Sequence, residues 1–119
     1  QISDSSFENV QGALANIYRG GTDESTFGPH FSLTNSELKN VGGGSKNKSK
    51  SSIYLHGVQV TSIENNRFSN SPAIKIEHTV GEPVTRFVKN LLTETPLPTV
   101  SELHSKLENT ALIKDNLVK

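Results

Sequence analysis

Cysteine is absent from the 119 residues, which excludes a disulfide framework and any zinc site built on thiolates. Aromatic side chains make up only 6% of the chain and apolar residues 32%, so any core must be thin and built by repetition. Charge of either sign is not in excess: twelve basic residues balance twelve acidic ones, and no global field draws the chain to nucleic acid. Lys46, Lys48 and Lys50 form a local basic cluster that could touch a polyanion, although a solvated loop is the simpler reading. Long hydrophobic runs are lacking as well, and no segment approaches the length needed to span a bilayer. No nucleic-acid or membrane partner is therefore expected. The chain opens on Gln1 with neither a secretory signal nor an obvious cap, and it reads as the C-terminal portion of a longer protein.

What the chain does contain is self-similarity. Ile2-Ser3-Asp4-Ser5-Ser6-Phe7-Glu8-Asn9-Val10 returns as Leu33-Thr34-Asn35-Ser36-Glu37-Leu38-Lys39-Asn40-Val41. It returns again as Ile63-Glu64-Asn65-Asn66-Arg67-Phe68-Ser69-Asn70-Ser71, and more faintly from Phe87 to Thr95. The anchors Ile2, Leu33, Ile63 and Phe87 are 31, 30 and 24 residues apart by subtraction, a period that belongs to solenoids, propellers and arrays. A helical repeat would need long amphipathic runs of good helix formers. These copies instead hold short alternating pieces such as Ile53-Tyr54-Leu55-His56 and Ile74-Lys75-Ile76-Glu77, with one buried and one solvent face. Asn9, Asn40 and Asn70 share one register with Glu94; Asn35 and Asn65 share another with Asp4 and Lys89. Asn accepts left-handed backbone geometry, and stacked amides can form a ladder. The expected fold is all-β, a parallel β-helix of about four coils over residues 1–95. Residues 96–119 are expected to be a capping or irregular segment, entered through Pro96 and Pro98, with Leu103 and Leu107 on one face of a short helix.

Two inserts interrupt the repeats. Gly42 to Ser52 is low in complexity and reads as a flexible loop at a coil corner. Tyr18 to Pro29 is richer, with Arg19, Asp23, Glu24 and then His30 close together. Asp23 and Glu24, beside Gly20-Gly21, could ligate a hard cation through oxygen; they could equally cap a turn, with Arg19 pairing to Glu24. Strand alternation turns His56 and Glu77 outward. Aligning Tyr18 with Leu55 puts Arg19 above His56 and Glu77 on one external face, where a His beside Arg and Tyr suits a uronate contact or a proton carrier. Tyr18, Arg19, His56 and Glu77 are the candidate substrate-binding residues, and Asp23 and Glu24 the candidate metal ligands.

The loop Tyr18-Arg19-Gly20-Gly21-Thr22-Asp23-Glu24-Ser25-Thr26-Phe27-Gly28-Pro29, followed by the Asn-containing strand from Leu33 to Gly42, resembles polysaccharide lyase family 6, which holds alginate lyases and chondroitinase B. The resemblance covers roughly residues 1 to 95. It implies a right-handed parallel β-helix, secreted or periplasmic, that cleaves alginate or chondroitin and dermatan sulfate by β-elimination, with a possible homodimer. In such a family calcium (Ca2+) neutralises the uronate carboxylate, a Lys takes the C5 proton and an Arg serves as acid. Lys75 and Arg86 match no family catalytic motif, so the catalytic pair and the calcium carboxylates are expected on upstream coils. The rival readings are a non-catalytic carbohydrate-binding or adhesive β-helix, and an epimerase or hydrolase; a hydrolase would need paired carboxylates, and none is evident.

Overall fold

In the computed structural model, which describes residues 1–18, 30–79, 83–102 and 111–119, the chain is all strand, with no helix among the described residues. Every strand pairing is parallel, and three sheets run side by side. The first sheet stacks β1 (Ile2–Ser3), β4 (His30–Thr34), β7 (Val60–Glu64), β10 (Val84–Val88) and β13 (Ala111–Lys114). The second stacks β2 (Ser6–Val10), β5 (Glu37–Val41), β8 (Arg67–Ser69), β11 (Leu91–Thr93) and β14 (Leu117–Val118). The third stacks β3 (Ala15–Tyr18), β6 (Ile53–His56), β9 (Lys75–His78) and β12 (Thr99–Glu102). Visiting the three sheets in turn and returning one rung further on is the path of a parallel β-helix.

The repeat anchors fall where the sequence put them. Ile2, Leu33, Ile63, Phe87 and Ile113 occupy one rung-to-rung column; Phe7, Leu38, Phe68 and Leu92 occupy a second. Ile17, Leu55, Ile76 and Val100 occupy a third. Period-two alternation sends all three columns inward, and Leu33, Leu38, Leu55, Ile63, Phe68, Ile76, Phe87 and Leu92 are essentially inaccessible. Phe68 and Phe87 stack with ring centroids 5.9 Å apart. The core is thus a narrow column of aliphatic and Phe side chains, as the low aromatic content requires.

Corners between the first and second sheets share one device. Asp4, Asn35, Asn65, Lys89 and Asp115 all have positive φ, between 51° and 59°. A second set, Asn9, Asn40, Asn70 and Glu94, lies in the same left-handed region at the exit from the second sheet. Both registers read from the sequence are these corners. The amide ladder forms only in part on them: Asn40 Nδ2 donates to Asn9 Oδ1 at 2.9 Å, in an exposed position. The principal ladder lies one residue further along, on the buried Asn66 and Asn90 and the half-buried Asn116. The Ser36 N–H donates to Asn66 Oδ1, the Asn66 N–H to Asn90 Oδ1 and the Asn90 N–H to Asn116 Oδ1, each at 2.9 Å. Each Nδ2 also donates back to the preceding rung, to the carbonyls of Leu33, Ile63 and Phe87. At the other corner hydroxyls do the same work: the Val41 N–H donates to Ser71 Oγ and the Ser71 N–H to Thr95 Oγ1.

Two expectations change. The Gly42–Ser52 insert is folded rather than loose, because Asn47 is buried and its Nδ2 donates to the carbonyls of Gly42 and Ser51, both at 2.8 Å. Gly42 has φ 93°, and a Cβ there would lie 2.6 Å from the Ser51 carbonyl oxygen, so the turn needs glycine. The stretch 96–119, expected as a cap or irregular segment, instead adds β12, β13 and β14 to the three sheets. Leu103 and Leu107, the basis for a helix there, lie outside the described residues.

Asn90→Ala removes the acceptor of the Asn66 N–H and the donor to the Ile63 carbonyl inside a buried corner. It should lower stability by about 2–4 kcal/mol, since unsatisfied buried groups cost roughly 1–3 kcal/mol each. Urea denaturation of the two proteins reads this directly, as a fall in midpoint at unchanged slope.

Candidate functional site

The outward face of the third sheet carries the polar groups. Because Ile17, Leu55 and Ile76 point inward, the next residues, Tyr18, His56 and Glu77, share an outer column. The column on the other side holds Asn16, Tyr54, Lys75 and Thr99. The sequence alignment was therefore one residue out: Tyr18, not Arg19, sits beside His56. Arg19, Asp23 and Glu24 lie outside the described residues.

These columns form a connected cluster. Glu77 Oε1 accepts from the Tyr54 hydroxyl at 2.6 Å and lies 2.8 Å from His56 Nδ1. His56 and Glu77 keep 13% and 17% of their side-chain exposure, so the contact is sheltered without being sealed. The Tyr18 ring stacks on His56 with centroids 4.3 Å apart and planes 11° from parallel, although Tyr18 itself is 70% exposed. Lys75 Nζ stands 5.8 Å from the centre of the Tyr54 ring, within cation–π range.

The hydrogen bonds from Tyr54 and His56 hold the Glu77 carboxyl below its ordinary value of 4.5. Burial, followed by the hydrogen bond to Glu77 and the charge of Glu77, pushes the Tyr54 hydroxyl up to about 12. An ionised carboxylate only accepts, so His56 Nδ1 carries the proton and Nε2 is the nitrogen left for other chemistry.

Beside the cluster lies an open groove of about 620 Å³, lined by Asn16, Tyr18, Tyr54 and Lys75 from the sheet and by Lys46 and Lys48 from the Gly42–Ser52 insert. Sequence reasoning missed Tyr54 and Lys75 as site residues. The period-two pattern in Ile53-Tyr54-Leu55-His56 was enough to place Tyr54 outward beside His56. Lys46 and Lys48, expected in a solvated loop that could touch a polyanion, are exposed and also line the groove. His78 and Arg86 take no part. His78 is turned inward, fully buried, with Nε2 2.8 Å from Thr85 Oγ1. Arg86 Nε pairs with Glu64 Oε1 at 2.9 Å on the first sheet. Among the described residues, no three His, Asp or Glu side chains come together to hold a metal ion.

Comparison with solved structures assigns this architecture. The alginate lyase AlyGC of polysaccharide lyase family 6 superposes with a TM-score of 0.89 and is 43% identical over 99% of the chain. A variant of AlyGC with an Arg-to-Ala substitution superposes at 0.87, with 42% identity over the same share. The chain belongs to polysaccharide lyase family 6. It spans 16% of the length of each of these lyases. No family model matches it, and no curated protein does. The resemblance first carried by the Tyr18–Pro29 loop thus extends over almost the whole chain, including the C-terminal strands that the motif did not reach.

Two titrations test the cluster of this family member. A carboxyl whose value is depressed on folding contributes stability that is present above its unfolded value and lost as pH falls through the folded one. Glu77→Gln should therefore lose its stability deficit relative to wild type as the pH drops below 4.5, seen as converging melting temperatures. The chain has two tyrosines, and the phenolate absorbance of one should rise only near pH 12, a component that disappears in Tyr54→Phe.

Proposed function

We propose that the chain is the C-terminal β-helix part of a polysaccharide lyase that cleaves a uronate-containing polysaccharide, alginate or chondroitin and dermatan sulfate, by β-elimination. The observation that carries this reading is the 43% identity to an alginate lyase across 99% of the chain. In such a reaction a base removes the C5 proton, acidified by the neighbouring carboxylate. The electron pair forms the C4–C5 double bond, and the O4 leaving group takes a proton. Donors aimed at the carboxylate, where negative charge accumulates, provide most of the stabilisation.

This segment completes the β-helix and supports the substrate groove, and the catalytic pair lies on upstream coils of the parent chain. The described residues supply polar positioning groups on the third sheet but no arrangement of base and acid around a common reacting atom. Calcium, which the family resemblance implies for the parent and which would neutralise the uronate carboxylate, does not fit the described residues, because they gather no carboxylate cluster. A right-handed winding, an extracellular or periplasmic location and a homodimer belong to the same proposal.

The test is elimination itself. Incubated with alginate or with dermatan sulfate, the full-length protein should generate the absorbance of an unsaturated uronate, and chelator should suppress it. Which polymer reacts names the substrate. If neither does, the lyase reading fails and the non-catalytic carbohydrate-binding β-helix takes its place.

A further inference from the structure

The groove between the third sheet and the Gly42–Ser52 insert has features that completing a β-helix does not explain. Its described lining holds three ammonium groups, Lys46, Lys48 and Lys75, and no carboxylate, in a chain whose formal charge is zero. Glu77, on the same sheet face, is occupied by Tyr54 and His56. Among the described residues, the lining thus carries an excess of positive charge while the chain as a whole is formally neutral. The insert that brings Lys46 and Lys48 over the sheet is held by the buried Asn47, so these two charges stand on a built wall.

Tyr18 adds a second oddity. A side chain left 70% exposed is normally free to rotate, yet this ring lies flat against His56 at 4.3 Å. His56 is in turn fixed through Nδ1 by Glu77, which also fixes Tyr54. An exposed ring held by a locked partner is pre-organised, and ordering before binding removes a cost that a mobile side chain would incur on binding. A tyrosine face presented to solvent beside cations suits a pyranose, whose apolar C–H face packs on the ring while its carboxylate meets an ammonium group.

We propose that this groove is a binding subsite for an anionic sugar chain, a run of uronate residues. Tyr18 is the stacking platform, and Lys46, Lys48 and Lys75 are the carboxylate contacts. Glu77 is a positioning residue that acts through His56. The assignment rests on the lyase reading for its substrate class and adds to it a place on this segment where the polymer is gripped away from the reacting bond. The volume of about 620 Å³ falls within the roughly 300–1,000 Å³ of ligand clefts.

Steady-state elimination by the full-length protein tests the assignment, using unsulfated polyuronate, dermatan sulfate and a neutral polysaccharide as competitor. Tyr18→Ala and the double variant Lys46→Ala/Lys48→Ala should each raise KM about tenfold, the effect of losing one well-formed contact, with kcat within about twofold. Tyr18→Phe keeps the ring and should raise KM less than Tyr18→Ala does. Added salt should weaken the wild type more than the lysine variant, and the neutral polymer should not compete. Unchanged KM in both variants, or a loss confined to kcat, overturns the subsite while leaving the lyase reading intact. If wild type eliminates nothing, the lyase reading fails instead. The subsite is then decided by calorimetric titration of an oligouronate: binding that Tyr18→Ala abolishes sustains it, and no binding overturns it.

Discussion

The structure depends on one interaction repeated along its axis: a buried side-chain amide that accepts the backbone N–H of the rung before it and donates to a carbonyl of that same rung. Asn66, Asn90 and the half-buried Asn116 each do this; the hydroxyls of Ser36 and Ser71 accept in the same way but donate to carbonyls of their own rung. A β-helix must turn its chain several times per coil, and each turn strips backbone groups of their strand partners. Where such a turn is buried, those groups need substitutes. The Asn side chain, with donor and acceptor at one tip, supplies both. The left-handed residue just before it lets the chain bend sharply enough for the amide to face inward.

That division of labour explains what the sequence revealed and what it hid. The corner columns were legible because Asn and Asp favour left-handed geometry, and they held even at Lys89 and Glu94, where the stack imposes a conformation those residues do not prefer. The buried ladder was not legible because Asn66 and Asn90 occupy interior positions where composition leads one to expect apolar residues. The C-terminal strands were obscured by Pro96 and Pro98, which read as pattern breakers although both lie between strands rather than within one.

The candidate site shows the same limits at higher resolution. His56 and Glu77 emerged from simple alternation, and the structure joins them at 2.8 Å. The error at Tyr18 came from reading register off the motif instead of off the apolar column Ile17, Leu55 and Ile76. A slip of one residue exchanges the faces of a strand, which is why a small misalignment substituted Arg19 for Tyr18. The position of Lys46 and Lys48 beside the sheet was not legible, since it follows from a loop organised around the buried Asn47 and its turn hydrogen bonds rather than from the repeat.

The repeat is uneven, and the unevenness is confined to particular places. From the first sheet to the second the distance between core columns is always five residues by subtraction: Ile2 to Phe7, Leu33 to Leu38, Ile63 to Phe68 and Phe87 to Leu92. From the second sheet to the third it runs from eight (Phe68 to Ile76) to seventeen (Leu38 to Leu55), and from the third back to the first from eight (Leu55 to Ile63) to sixteen (Ile17 to Leu33). One corner is therefore closed to insertion and deletion by the ladder it carries, while the other two admit variable lengths that reach the third sheet from either side. Such a scaffold separates what must be copied from what can diverge. New recognition loops can be spliced onto the third sheet by changes in length alone, without disturbing the hydrogen bonds that hold successive coils in step.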